Sequence, residues 1–245
     1  MRALLTGLNG TVAPALARRL RADGHEVVAW DRTVVPPDDP DVVRAFVART
    51  APDWLLHVAT GPAAWAEALA REAASVGARF LFTGTVSVFG AAQRGPFAPD
   101  DTPAPDDDYG RYKLDAERRV VAAHPEAIVA RLAWQIGPAP GSNTLTDFLH
   151  RASLRGPVEA SARWTPALAW LDDTADAVAA LMAVGAPGLY HLDGNPGLSL
   201  YDVATRLRAA VGAEWEVVAV DEPVRDNRMT DPRVAVRPIT ERLGG

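Results

Sequence analysis

The sequence predicts an α/β fold built on a doubly wound parallel sheet, and three observations lead there. Short apolar runs recur along the first half of the chain, longer segments with helical periodicity separate them, and the runs are apolar throughout rather than alternating. A continuously apolar strand is buried on both faces, which is the condition of parallel strands covered by helices. Strands are expected at 2–6, 26–30, 54–59, 80–83 and 127–132, with helices at 11–22, 40–50, 62–76 and 109–123. The stretch 90–108 holds four prolines and five aspartates without periodicity, so it is expected to be a surface loop. Asp106, Asp107 and Asp108 close it, where their carboxylates can cap the next helix.

From Gly137 the texture changes, with Pro138, Pro140 and Gly141 breaking the pattern. A polar helix is expected at 143–154, then a short strand at Trp170 running into a helix that ends near Val184. A strand at 189–192 and a helix at 199–211, capped by Ser199, follow. The chain therefore divides into a doubly wound, Rossmann-type α/β domain over 1–137 and a small C-terminal α/β lobe over 138–245, interleaved with it.

Composition removes several function classes. Hydrophobic residues make up 48% and charged residues 23% of the chain, ordinary for a soluble globular protein. No apolar run approaches the roughly 18 residues of a membrane span, and the N-terminus enters a strand without the pattern of a signal peptide. A cytoplasmic protein without a membrane partner is expected. Zero cysteines exclude disulfides, thiolate metal sites and a cysteine nucleophile. A net charge of −6 gives no basic footprint for nucleic acid, and the five scattered histidines form no metal-ligand pair. The expected partner is a small molecule, with a homodimer possible.

The chemistry concentrates in a few runs. The chain has 24 arginines and one lysine, Lys113, four residues after Tyr109. At that helical spacing an ammonium can reach beneath the phenol and favour its phenolate, which a fixed guanidinium would do less compactly. After the first strand, Thr6-Gly7-Leu8-Asn9-Gly10-Thr11-Val12 opens a helix, and its glycines let backbone amides approach a pyrophosphate. Asp31 ends the second strand and can accept from ribose hydroxyls, while Arg32 beside it could take a 2′-phosphate, so NADH and NADPH both stay open. Val58, Ala59 and Thr60 put small residues where a cofactor would cross the sheet edge. His57 reads as a packed core histidine. After the fourth strand, Thr83 to Gly90 places hydroxyls at the carboxyl end of the sheet.

In this order, the Gly-x-x-Gly turn, Thr85-x-x-Val88-Phe89-Gly90 and Tyr109-x-x-x-Lys113 resemble the extended short-chain dehydrogenase/reductases. Arg131-x-x-Trp134, Trp164-Thr165-Pro166, Asp172-Asp173-Thr174-Ala175 and Arg237-Pro238 make the chain most similar to the dTDP-4-dehydrorhamnose reductases. The resemblance implies NAD(P)H-dependent reduction of a ketone, most suitably a nucleotide-linked 4-keto-deoxysugar. Tyr109 would donate the proton, Thr85 would hold the carbonyl oxygen, and Lys113 would hold the nicotinamide ribose and lower the phenol's pKa. Gly7, Asn9, Gly10, Thr11, Val12, Asp31, Arg32, Val58, Ala59 and Thr60, with Tyr109 and Lys113, would contact the cofactor. Thr85, Val86, Trp134, Arg163 and Trp164 would contact the substrate, with Arg131 beside the sugar. Val86 stands where these reductases often have an acidic residue, and Val86-Ser87 cannot supply the Asp-Glu pair of the dehydratases. Two alternatives remain: a nucleotide-sugar 4-epimerase that retains NAD, and a non-catalytic cofactor-binding regulatory protein.

Overall fold

A computed structural model of the chain describes residues 1–138 and 143–244. The chain runs β1 (Arg2–Leu5), α1 (Ala13–Ala22), β2 (Glu26–Ala29), α2 (Pro40–Thr50), β3 (Trp54–His57), α3 (Ala63–Ser75), β4 (Arg79–Thr85), α4 (Asp108–Ala123) and β5 (Ile128–Leu132). A second half follows: β6 (Trp134–Ile136), α5 (Leu145–Ser153), β7 (Val158–Ser161), β8 (Trp164–Thr165), β9 (Leu168–Trp170), α6 (Leu171–Val184), β10 (Gly188–Leu192), α7 (Leu200–Ala210), β11 (Val217–Val220), β12 (Arg225–Asp226) and α8 (Thr240–Leu243). Pro140 and Gly141, expected to break the pattern, lie outside the described residues.

Six strands form one parallel sheet in the order β10-β5-β4-β3-β1-β2. The inner strands β3 and β5 are buried at every residue, as their unbroken apolar runs require. On one face α1 and α6 pack with residues such as Leu16, Leu20, Val178 and Leu181 against Leu5, Leu56 and Ile128. On the other, α2, α3 and α4 bury Val47, Trp65, Leu69 and Val120 against Leu55, Phe80 and Phe82. The order reverses between β1 and β3, so their carboxyl ends diverge and leave a crevice, the place where ligands of open α/β sheets bind.

The later elements differ from the sequence reading in where they sit. The helix ending at Val184 and the strand at 189–192, assigned to the second lobe, return to the first sheet: α6 packs on α1, and β10 pairs with β5 as an edge strand. Both are strongly apolar and need a large face to cover, which the small lobe lacks. The lobe is therefore assembled from two separated segments, with parallel pairs β6-β9, β7-β11 and β8-β12 around Leu149, Val203, Leu207 and Trp215. The 90–108 stretch is also more than a surface loop. Phe97 is buried, stacks on Phe89 at 3.9 Å and bridges to Met229, because one aromatic in an otherwise polar segment has apolar surface to hide.

Candidate active site

At the crevice, the end of β1 is tied to the end of β3 by one hydroxyl. Thr6 Oγ1 accepts from Val58 N at 3.0 Å and Ala59 N at 3.1 Å, and lies 3.0 Å from His57 Nδ1. With both N–H groups donating to it, the Thr6 hydroxyl gives its proton to Nδ1, which leaves His57 neutral with its proton on Nε2. Burial, then Lys113 and Arg32, hold His57 well below its usual pKa, in keeping with a core histidine. Gly7 sits between these strand ends at φ +86°, where an added Cβ would lie 3.0 Å from Ala59 N. Only glycine permits that approach. Beyond it α1 begins at Ala13 without a capping side chain, so its first-turn amides are open to an anion.

Asp31 leads out of β2 with Oδ1 accepting from Thr33 N at 2.8 Å and Thr33 Oγ1 at 2.7 Å. Those two bonds lower its pKa and keep the carboxylate charged, with Oδ2 left to accept. Arg32 is less free than its position in the sequence suggests. Its Nη2 donates to Thr60 O, and the guanidinium lies 4.6 Å from the centre of the Trp65 ring.

The opposite edge is built by β4 and α4. Thr85 ends β4 with Oγ1 accepting from Ser87 N at 3.2 Å. Asp107 caps α4 by accepting from Gly110 N at 2.6 Å; Asp106 instead accepts from Ala91 N, and Asp108 pairs with Arg111. Gly110 decides how close α4 comes. A Cβ there would fall 2.1 Å from Ser87 O, so only glycine lets the helix start against the strand end. That contact brings Tyr109 to Thr85. Tyr109 is 46% exposed along the cleft, yet burial is the largest cause that raises its phenol pKa; Tyr112 and Asp107 add to it and a hydrogen bond with Thr85 opposes it.

Here the sequence reading is corrected, because Lys113 is not among the groups that shift the phenol, and the shift is upward. The ammonium is committed elsewhere. It donates to Thr83 O at 2.8 Å and lies 4.8 Å from the Phe82 ring centre, and burial lowers its pKa to about 8.

These groups line one cleft of about 900 Å³ with Gly7, Asn9, Gly10, Thr11, Val12, Asp31, Arg32, Val58, Ala59, Thr60 and Val86. The C-terminal lobe supplies its other wall. Trp134 and Trp164 stack with ring centres 6.5 Å apart, and Phe148 meets Trp134 edge-on at 5.3 Å. Trp164 Nε1 donates to Asn227 Oδ1 at 2.7 Å, and Trp134 Nε1 to Asn143 O at 2.8 Å. Arg151 and Arg225 also line this wall, and Arg225 Nε is buried with no partner among the described residues. Arg163 does not join them. It is exposed in the turn between β7 and β8 and falls outside the lining, its backbone N tied to Ser161 Oγ at 3.0 Å. Nor does Arg131 face the cleft; it is buried behind it against Glu117. Sequence reasoning missed Asn143, Phe148, Arg151, Arg225 and Asn227, which carry no local motif.

A family model described as RmlD substrate binding domain matches residues 62–243. A dTDP-4-dehydrorhamnose reductase of Mycolicibacterium smegmatis is 32% identical over 257 residues, spanning 97% of this chain and 76% of the relative. The chain belongs to the dTDP-4-dehydrorhamnose reductase family. This makes it an oxidoreductase of the extended short-chain dehydrogenase/reductase type. A probable dTDP-4,6-dihydroxy-2-methyloxan-3-one 4-ketoreductase of Streptomyces antibioticus is 28% identical over 87% of the chain and 78% of its own length. The solved dTDP-4-dehydrorhamnose reductase of Bacillus anthracis str. Ames, in complex with NADP, superposes with a TM-score of 0.86 over 99% of this chain and 96% of that one; at 18% identity it shows the shared fold.

Proposed function

We propose that this member of the dTDP-4-dehydrorhamnose reductase family reduces a nucleotide-linked 4-keto-deoxysugar with NAD(P)H, and that Tyr109 gives the proton. The observation that carries the reading is convergence. Thr85, Tyr109 and Lys113 meet in one cleft between an uncapped helix N-terminus on one wall and an aromatic, arginine-bearing lobe on the other. The residues present fit a dinucleotide: Gly7 lets the turn after β1 close against Ala59 with no side chain between, the α1 amides suit a pyrophosphate, and Asp31 keeps a free acceptor for ribose. The cofactor, when bound, supplies the hydride.

The protein's own residues do the rest. Thr85 Oγ1 orients the carbonyl oxygen, and Tyr109, held neutral by its raised pKa, has a proton to give as negative charge develops there. Lys113, charged below about pH 8, donates to Thr83 O and keeps its remaining N–H groups for the ribose of a bound nicotinamide. On the lobe wall, Trp134, Phe148 and Trp164 offer ring faces to a base or sugar, and Arg151, paired with Asp147, and Arg225, donating to Phe89 O, bring two cations whose remaining N–H groups suit a diphosphate. Asp31 and Arg32 together support use of both NADH and NADPH. The test is to supply dTDP-4-dehydro-6-deoxysugar with each reduced cofactor and follow nicotinamide oxidation. Stoichiometric oxidation with formation of the reduced sugar is expected, and failure to oxidise either cofactor would reject the reading.

A further inference from the structure

Behind the cleft floor lies a buried polar chain that the reaction above leaves unused. Arg131 on β5 grips Glu117 on α4 at two points, Nη2 to Oε1 at 2.6 Å and Nε to Oε2 at 3.1 Å. Its Nη1 lies 3.3 Å from His191 Nε2 on β10, and His191 Nδ1 lies 3.0 Å from Phe97 O. A guanidinium only donates, so Nε2 accepts and Nδ1 carries the proton given to Phe97 O. His191 is therefore neutral, which agrees with burial lowering its pKa to about 4.

Stability alone is a poor reason for this arrangement. The Arg131 and Glu117 side chains are 3% and 8% exposed, and a buried pair of this kind is often no more stabilising than apolar residues of similar volume. Geometry suggests another. Glu117 follows Lys113 by one helical turn on the same face of α4. Among the described residues Lys113 makes no ion pair of its own, and Glu117 is the carboxylate that acts on it, favouring its charged form. The other groups around Lys113 cannot replace it. Tyr109 and Tyr112 on α4 are phenols, Thr83 on β4 offers a neutral carbonyl, Phe82 offers a ring face, His57 on β3 is neutral, and Arg131 on β5 is a cation.

We propose that Glu117, locked in place by Arg131, is a positioning residue for the reaction, its carboxylate keeping the Lys113 ammonium charged and seated on the cleft floor. This rests on the catalytic reading of Lys113. Because Lys113 is the only lysine in the chain, lysine-selective isotope labelling gives a single side-chain Cε resonance that reports its protonation without substrate or cofactor. In the wild type that resonance is expected to titrate near pH 8. In Glu117→Gln the midpoint should move down and turnover should drop by about tenfold or more, with the KM for the keto-sugar little changed. Should the stranded Arg131 prevent Glu117→Gln from folding, Glu117 is removed in an Arg131→Met background, where the midpoint and turnover of the double variant Glu117→Leu with Arg131→Met should lie below those of Arg131→Met alone. An unchanged midpoint in either comparison overturns the proposal, and so does a lowered midpoint with unchanged turnover. Full turnover in both Lys113→Arg and Lys113→Ala would instead reject the catalytic reading of the lysine, an outcome the substrate-free titration keeps separate.

Discussion

The glycine-turn wall of the cleft comes from three short runs, 7–13, 31–33 and 58–60, each just past the end of a strand of the same sheet. The facing wall gathers Trp134, Asn143, Phe148, Arg151, Trp164, Arg225 and Asn227 from β6, α5 and the segment before it, β8, β12 and the residues after it. The first wall is placed by hydrogen bonds among neighbouring strand ends, such as Thr6 to Val58 and Ala59. The second depends on contacts across long stretches of chain, such as Trp164 to Asn227. A wall fixed by the sheet can keep one ligand geometry, while a wall of loops and short strand pairs can change without disturbing the sheet. Common chemistry therefore belongs on the first and substrate choice on the second.

Between the two walls stands Tyr109, and its removal should give the largest effect. Tyr109→Phe is expected to slow turnover by roughly 10²-fold or more while leaving cofactor binding near normal, measured by single-turnover kinetics beside a cofactor titration. Lys113→Arg should come next, nearly as damaging as Lys113→Ala. The site is 3% exposed and shaped around one ammonium donating to Thr83 O, and a planar fork does not fit there. The same lysine sets a pH dependence. Its lowered pKa leaves it charged below about pH 8, so turnover should decline as pH rises through that value, and a flat profile to pH 9.5 would separate the lysine from the chemistry.

The lobe wall is sharpened by a pair of variants. Trp164→Ala should weaken substrate binding by about 1 to 3 kcal/mol, the range of base stacking on an aromatic ring, whereas Arg163→Ala should bind as wild type does. Calorimetry with the nucleotide alone distinguishes them, and equal losses would put Arg163 back in the site. The smallest effect is expected at Arg32. Held by Thr60 O and the Trp65 ring, it has only part of its fork to offer, so Arg32→Ala should weaken NADPH by no more than about 1.5 kcal/mol and leave NADH unchanged.

What could be read from the sequence follows the same division. The strand-turn-helix units were legible because period and glycine position are local, and each of the five early strands and four early helices appears within a few residues of its expected place. Asp107 as a cap and His57 as a core residue were legible for the same reason. The direction of the Tyr109 shift was not, because helical spacing gives adjacency but not where a flexible ammonium finds its acceptor. Gly110 went unread, since nothing local shows that Ser87 O will lie where its Cβ would be. Arg131 was placed beside the sugar by the resemblance of Arg131-x-x-Trp134 to a family pattern, whereas strand alternation turns it to the buried side, where Glu117 meets its charge. Arg225 and Asn227 follow a proline-bearing stretch with no periodicity and became visible only when β12 paired with β8.

One measurement decides whether the two walls serve a reduction at all. The protein is given a nicotinamide cofactor deuterated at the transferring position together with a dTDP-linked 4-keto-deoxysugar, and the sugar product is weighed by mass spectrometry. Reduction as described here leaves one deuterium on the sugar's former carbonyl carbon for each cofactor oxidised, with the rate collapsing in Tyr109→Phe. A product without deuterium, or the same rate in Tyr109→Phe, would contradict the account.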